Sequence, residues 1–93
     1  MAVFLIVGVR ADQGDQLDSA IAKTYQKDHL RLTADSWLVA DDCTAKELSD
    51  KLGITSGKSG SAVVTKIGSY YGRAPTNIWD WVKTKWESHS DGA

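Results

Sequence analysis

The feature that most constrains the fold of this chain is the apolar run at residues 2–9, Ala-Val-Phe-Leu-Ile-Val-Gly-Val. An unbroken run of this kind, rich in Val, Leu, Ile and Phe, is typical of a strand that is covered on both faces. The run is far too short to span a bilayer, and no basic segment precedes it. We therefore expect neither a membrane helix nor a signal peptide, and the run predicts a strand in the interior of a sheet.

A helix is predicted after this strand. Leu17, Ala20 and Ile21 recur at three- and four-residue spacing, which indicates that one face of the helix is buried. Asp15 is expected to cap the N terminus of this helix, since a carboxylate can accept hydrogen bonds from the unpaired amides there. The first strand and this helix together begin a β-α unit.

A hairpin and a second helix follow. Residues 29–34 and 37–40 are predicted strands, and Asp35-Ser36 is expected to turn the chain between them. Thr44-Ala45-Lys46-Glu47 has the pattern of a capping box, in which the Thr hydroxyl and the Glu carboxylate satisfy helix amides reciprocally. Gly53 is the expected left-handed end of that helix.

The last third of the chain predicts one more strand, over residues 62–71, and a terminal helix that opens near Pro75. In projection, four apolar residues of this helix fall within one arc of about 100°, the width of a buried stripe: Ile78, Trp79, Val82 and Trp86. Trp81 and Lys85 lie on the flank of this stripe. The stripe is expected to cover the open face of its own sheet or that of a partner subunit.

The predicted order indicates an α+β fold, ferredoxin-like βαββαβ, with a four-stranded antiparallel sheet and an extra C-terminal helix. Residues 1–88 are predicted to form a single ferredoxin-like domain, and residues 89–93 a disordered tail. The single cysteine, Cys43, cannot form an internal disulfide, which is typical of a reducing, cytoplasmic setting.

Charge is divided unevenly along the chain, although the formal net charge is only −1. Residues 1–55 carry nine acidic and six basic residues, whereas residues 56–86 carry one acidic and five basic residues together with three of the four Trp. Basic side chains beside exposed rings can bind nucleic acid, but strong binders are usually basic as a whole, so only weak nucleic-acid binding is expected. The candidate binding surface comprises basic and aromatic residues of this region: Lys58, Lys66, Tyr70, Tyr71, Arg73, Trp81, Lys83 and Lys85.

Three short patterns carry a family resemblance: the strand 36–39 (Ser-Trp-Leu-Val), the helix 44–52 (Thr-x-x-Glu-Leu-x-x-x-Leu) and the aromatic helix 79–82 (Trp-x-Trp-Val). With the element order and the small size, they resemble the SinR-like branch of the CRISPR-associated ferredoxin-like proteins, relatives of the small nuclease-like adaptation subunit. The resemblance implies a symmetric homodimer, and some members are described as metal-dependent nucleases. Where those nucleases place a metal-binding Asp, this chain has Gly8-Val9 followed by Arg10. Val offers no oxygen ligand for Mg²⁺, so the fold and the dimer are carried over and the chemistry is not.

Other candidate sites are weaker. Asp12, Asp15 and Asp18 are either displaced metal ligands or residues that complement the positive end of a helix, and the second interpretation explains all three without a metal. The loop 53–59 lacks the spacing and the following helix of a phosphate-binding loop. Cys43 has no partner at metal-binding or catalytic spacing, which indicates a packing role. No metal site and no cofactor are predicted.

These observations lead us to expect a cytoplasmic, non-enzymatic, homodimeric binding or scaffold protein with a link to nucleic-acid or phage-defence systems and no membrane partner. One alternative is a divergent metal-dependent nuclease that uses Asp12 or Asp15. Another is an interaction module for a larger protein partner, with Tyr70, Tyr71 and Trp81 at its contact patch.

Overall fold

A computed structural model of the chain describes residues 1–90, with side chains through residue 86 except that of Ala11. Its main elements are β1 (Ala2–Gly8), α1 (Gly14–Thr24), β2 (His29–Thr33), β3 (Ser36–Asp41), α2 (Ala45–Leu52), β4 (Ala62–Lys66) and α3 (Thr76–Ser90). One turn of 3-10 helix, Ala11–Gln13, leads into α1. The order βαββαβα confirms the α+β class and the extra C-terminal helix.

The strands form one antiparallel sheet in the order β2-β3-β1-β4. β1 is an inner strand, because it pairs with β3 on one side and with β4 on the other. Leu5 at its centre lies opposite Leu38 of β3 and Thr65 of β4. The prediction that residues 2–9 lie in the sheet interior is confirmed, although the strand itself ends at Gly8.

α1 and α2 cover one face of the sheet, which we call face one. Its core consists of ten buried residues from the helices, the strands and their connections: Phe4, Ile6, Leu17, Ile21, Tyr25, Trp37, Val39, Leu48, Leu52 and Ile54. Trp37 is the largest fully buried side chain, and its indole Nε1 donates to Asp18 Oδ1 at 2.9 Å. The Arg31 guanidinium lies 5.5 Å from the Trp37 ring centroid. Because its N–H is satisfied, the ring is buried without the cost of an unpaired donor.

α3 covers the opposite face, face two, so the Trp-rich helix packs on its own sheet. Val82 of α3 is buried together with Val3 and Leu38 of the sheet. Seven partly buried residues surround this contact: Leu5, Leu30, Leu32, Ile67, Ile78, Trp81 and Trp86. Lys85 Nζ pairs with Asp28 Oδ1 at 2.7 Å, and the N-terminal amine donates to the Lys85 carbonyl at 3.1 Å. The domain therefore has three layers, with the sheet in the middle.

The ends of α2 agree with the sequence prediction, and the start of α1 does not. Glu47 N donates to the Thr44 hydroxyl at 3.1 Å and Thr44 N donates to the Glu47 carboxylate at 3.0 Å, which completes the capping box. Gly53 ends α2 with φ of 74°, a conformation that glycine adopts without strain. The predicted cap by Asp15 is wrong, because α1 begins at Gly14, which places Gln13 at the N-cap position and Asp15 inside the first turn. A Cβ on Gly14 would lie 2.8 Å from a carbonyl oxygen of the β2–β3 turn, so this close approach requires glycine.

β4 is shorter than the strand predicted over residues 62–71. The last bond to β1 runs from the Ile67 amide to the Val3 carbonyl at 2.9 Å. β1 runs antiparallel to β4 and begins only one residue before Val3. Beyond this point β4 therefore has almost no partner strand left to pair with. Residues 67–75 therefore form a loop, and Tyr70-Tyr71 lie on this loop rather than on a strand.

Two further boundaries differ slightly from the prediction. The hairpin turns at Ala34-Asp35, one residue earlier than expected, so that Ser36 already belongs to β3. α3 runs through residue 90. Residues 91–93 of the predicted tail 89–93 lie outside the described residues, and the domain boundary stays a prediction. Within residues 1–90, the helices lack the combination of length and apolar character that spanning a bilayer requires.

We expect Trp37→Ala to lower the free energy of unfolding by roughly 3–5 kcal/mol, because it leaves a cavity at the centre of face one. Trp79→Ala is the matched control: this ring is only half-buried, so the loss should stay below about 1.5 kcal/mol. Urea denaturation of both variants measures the difference. Equal losses would show that Trp79 belongs to the core.

Candidate binding groove

Face two remains partly open where α3 begins. An apolar cavity of about 520 Å³ lies there between the sheet, the first turns of α3 and the loop 67–75, and we call it the groove. Its walls include residues of the sheet and of α3: Leu5, Leu32, Leu38, Ile78, Trp79 and Val82. Small-ligand sites typically have volumes of roughly 300–1,000 Å³ and apolar linings. The groove therefore has the size and the lining of a binding site.

The loop 67–75 adds aromatic rings to one side of the groove. Tyr70 stacks on Trp79, with ring centroids 6.0 Å apart and planes inclined by 23°, and it meets the Trp86 ring edge-on at 5.2 Å. Tyr71 is fully exposed, at 102%. A second cavity of about 320 Å³, which we call the mouth, opens between Tyr70, Tyr71, Trp79 and Lys83. Three of these residues also line the groove, so the two cavities adjoin each other.

Lys83 gives this opening its charge. Among the side chains that the structure describes, it is the charged one that lines the groove or the mouth. None of the described carboxylates forms an ion pair with it. Arg73 is exposed on the same loop, two residues after Tyr71. The opening is therefore positive, and the interior behind it is apolar.

The structure brings together about half of the residues predicted to form a binding surface. Tyr70, Tyr71 and Lys83 line the mouth, and Arg73 lies on the loop beside it. Lys58 is elsewhere: it is exposed before β4, and its carbonyl accepts a hydrogen bond from the α1 side chain Gln16 at 2.6 Å. It therefore lies on the side of the sheet opposite the groove.

The three remaining predicted residues also have other surroundings. Lys66 is exposed at the end of β4, near the N terminus. Trp81, which was expected to be exposed or interfacial, packs half-buried against the core of face two. Lys85 is held by its ion pair with Asp28. Of the predicted aromatic residues, only the two tyrosines therefore belong to the opening.

Trp79 is the site residue that sequence reasoning placed in the core. The helical projection put it in the buried stripe with Trp86 and put Trp81 on the flank. In the structure α3 is turned so that Trp81 packs on the sheet and Trp79 contacts Tyr70 of the loop. The apolar stripe is wide enough to allow either rotation, and only the sheet and the loop fix which one occurs.

A second exposed apolar surface lies beside the groove on face two. Val7 and Val63 are opposite each other on β1 and β4, and they are 40% and 54% exposed. Val9, the residue that follows the end of β1, is 60% exposed. Because side chains alternate along a strand, Val7 lies on the same face as Leu5 of the groove. We call Val7, Val9 and Val63 the valine patch.

The acidic residues considered as metal ligands have arginine partners. Arg10 pairs with Asp12 at 3.2 Å, and Arg31 lies 3.6 Å from Asp15 and 3.4 Å from Asp18. Among the side chains that the structure describes, no three potential metal ligands converge on a common point. Arg31 comes from β2, so this arrangement fixes the start of α1 against the hairpin.

A polar cluster joins α1, β3 and α2 away from the groove. The Tyr25 hydroxyl donates to Asp41 Oδ2 at 2.6 Å, and Lys51 Nζ donates to the same oxygen at 3.0 Å. Burial raises the pKa of Asp41, but hydrogen bonds from Tyr25, Lys51 and the Asp42 amide outweigh burial and lower the pKa to about 2. Burial and the Asp41 carboxylate raise the pKa of the Cys43 thiol to about 11. The thiol is therefore protonated at neutral pH and is a poor nucleophile.

The chain matches no known protein-family model and no curated protein. The relation to the SinR-like branch therefore stays a prediction. The fold and the site define a three-layer α+β domain with an apolar groove and an adjoining mouth that Lys83 lines.

We expect Asp41→Asn to remove a pH-dependent part of the stability. The folded-state pKa of about 2 lies below the ordinary value of 3.8, so the ionised carboxylate stabilises the fold above about pH 4, and this contribution is lost as the pH falls towards 2. The contribution should be about 1–2 kcal/mol at pH 7. Urea denaturation at pH 7, 4 and 3 measures it, with Asp80→Asn on α3 as the control. Parallel pH profiles for the wild type and Asp41→Asn would contradict this interpretation.

Proposed function

We propose that the protein is a non-enzymatic binding or scaffold domain that acts as a homodimer. The observation that carries this proposal is the distribution of exposed apolar side chains. In the described part of the chain, the large hydrophobic residues that are exposed are Val7, Val9, Val63, Tyr70 and Tyr71. All five belong to the valine patch or the mouth. Single exposed apolar residues are common on monomers, whereas residues gathered on one surface are typical of a binding site.

We infer that the fold is ferredoxin-like. In the sheet, β3 lies between β1 and β2, and β1 lies between β3 and β4. α1 and α2 therefore each connect two strands that flank a third, as in a pair of split β-α-β units. α3 adds a layer that the βαββαβ unit lacks. The SinR-like relation, a link to nucleic-acid or phage-defence systems and a cytoplasmic setting belong to the same proposal.

The valine patch supports a second copy of the chain as the partner. Val7 and Val63 lie side by side where α3 leaves the sheet uncovered, and β4 is one of the two edge strands of the sheet. Two subunits related by a two-fold axis can pack the same apolar patch against each other. Such a contact does not require the pairing of opposite charges. Stable interfaces bury about 800 Å² on each partner, which is more than three valines supply, so the edge of β4 is part of the proposed contact.

We expect the wild type to sediment as a dimer at roughly tens of micromolar. Val63→Lys should weaken the dimer at least tenfold, because it would bury an ammonium group in an apolar contact. Ser19→Lys adds the same charge on the exposed side of α1 and should leave dimerisation unchanged. Analytical ultracentrifugation measures the three dissociation constants, and circular dichroism checks folding. A wild type that is monomeric at these concentrations would rule out the homodimer.

The nuclease alternative predicts a different result. We expect no cleavage of labelled single- or double-stranded RNA or DNA with Mg²⁺ or Mn²⁺, because two-metal chemistry requires carboxylates that converge on a shared site. Asp12 and Asp15 instead pair with Arg10 and Arg31. The assay compares the wild type with Asp12→Ala and Asp15→Ala. Cleavage that disappears in either variant would establish the nuclease and reject the scaffold.

The interaction-module alternative placed Tyr70, Tyr71 and Trp81 at a contact patch. Because Trp81 packs against the sheet, Trp79 takes its place beside the two tyrosines. The exposed surface of such a module would therefore be the mouth. This alternative is supported by the same exposed rings as the main proposal.

A further inference from the structure

We propose that the groove and the mouth bind a small amphipathic anion, with an apolar body in the groove and a carboxylate or similar anionic group at Lys83. This inference rests on the proposed binding function and names the ligand class. The observation behind it is that an apolar cavity without charged lining residues adjoins a second cavity that Lys83 lines, and the two share three aromatic residues.

The interior of the groove selects an apolar body. Leu5 and Leu38 from the sheet and Val82 from α3 line it, and Val82 is almost completely buried. Apolar ligand surface that enters this space is removed from water, which favours binding. A volume of about 520 Å³ accommodates a fused-ring or short-chain molecule.

The mouth selects a negative charge. Lys83 lines the mouth beside Tyr70, Tyr71 and Trp79, and no described carboxylate is paired with it. An anion placed there gains a cation partner, whereas a cationic group would be repelled.

The aromatic rings are already arranged before any molecule binds. Tyr70 is held by Trp79 at 6.0 Å and by Trp86 at 5.2 Å, so its ring needs little further ordering on binding. Tyr71 is exposed and can close over a bound molecule. A single-stranded nucleic acid is less well suited, because it would need several cations along one track, and Lys83 is the cation among the described residues that line the groove and the mouth.

Two fluorescent probes that differ by one sulfonate test the inference. 1-Anilinonaphthalene-8-sulfonate carries the anion, and N-phenyl-1-naphthylamine is its neutral counterpart. We expect both probes to bind the folded wild type, with the sulfonate probe roughly fivefold tighter, as for one partly exposed ion pair. Lys83→Gln should remove this preference and leave the affinity for the neutral probe within about twofold. Lys23→Gln on α1 is the charge-matched control and should keep the preference.

Each outcome has a distinct meaning. Equal affinity of the sulfonate probe for the wild type and Lys83→Gln would overturn the anion inference while leaving an apolar binding groove. Binding of neither probe would overturn the inference without affecting the dimer test, which uses a different surface and a different measurement. Tyr71→Ala locates the site: it should weaken both probes, and unchanged binding of both would place them elsewhere and overturn the inference.

Discussion

The packing of α3 on face two is the contact on which the rest of the structure depends. Val82 is buried there with Val3 and Leu38, and half-buried leucines of β1 and β2 surround them. Full burial of one large aliphatic side chain is worth about 1.5–3 kcal/mol, a sizeable fraction of the net stability of a domain. Without this helix the sheet would expose one whole apolar face. The helix is also the reason that β1 can be apolar on both sides.

A single helix does not cover the whole face of a four-stranded sheet, and both candidate sites result from this. The valine patch is sheet surface that α3 does not cover, and the groove is the space beside its first turns. The loop 67–75 has to return the chain from the edge of the sheet to α3, and it brings Tyr70 onto Trp79 on the way. The ion pair between Lys85 and Asp28 holds the other end of the helix. The far end of α3 thus secures the fold, and its first turns provide the opening.

The local signals at the two ends of α2 could be predicted from the sequence, whereas the start of α1, the end of β4 and the rotation of α3 depend on tertiary contacts and could not. The capping box at Thr44 and the glycine end at Gly53 involve neighbouring residues only, so their patterns were sufficient. The β4 boundary was missed because Tyr70-Tyr71 favour strands, whereas the end of the partner strand stops the pairing. Trp79 was missed because periodicity gives the width of an apolar stripe and not the rotation of the helix on its sheet.

The most direct measurement is an isotope-filtered NOE experiment on labelled and unlabelled chains that are mixed unfolded and refolded together. We expect Val82 methyl contacts with Leu38 and Val3 only within one chain, because α3 covers its own sheet. The same contacts between a labelled and an unlabelled chain would show that the helix is exchanged between subunits. That result would contradict the three-layer monomer fold and, with it, the origin of the groove in a single chain.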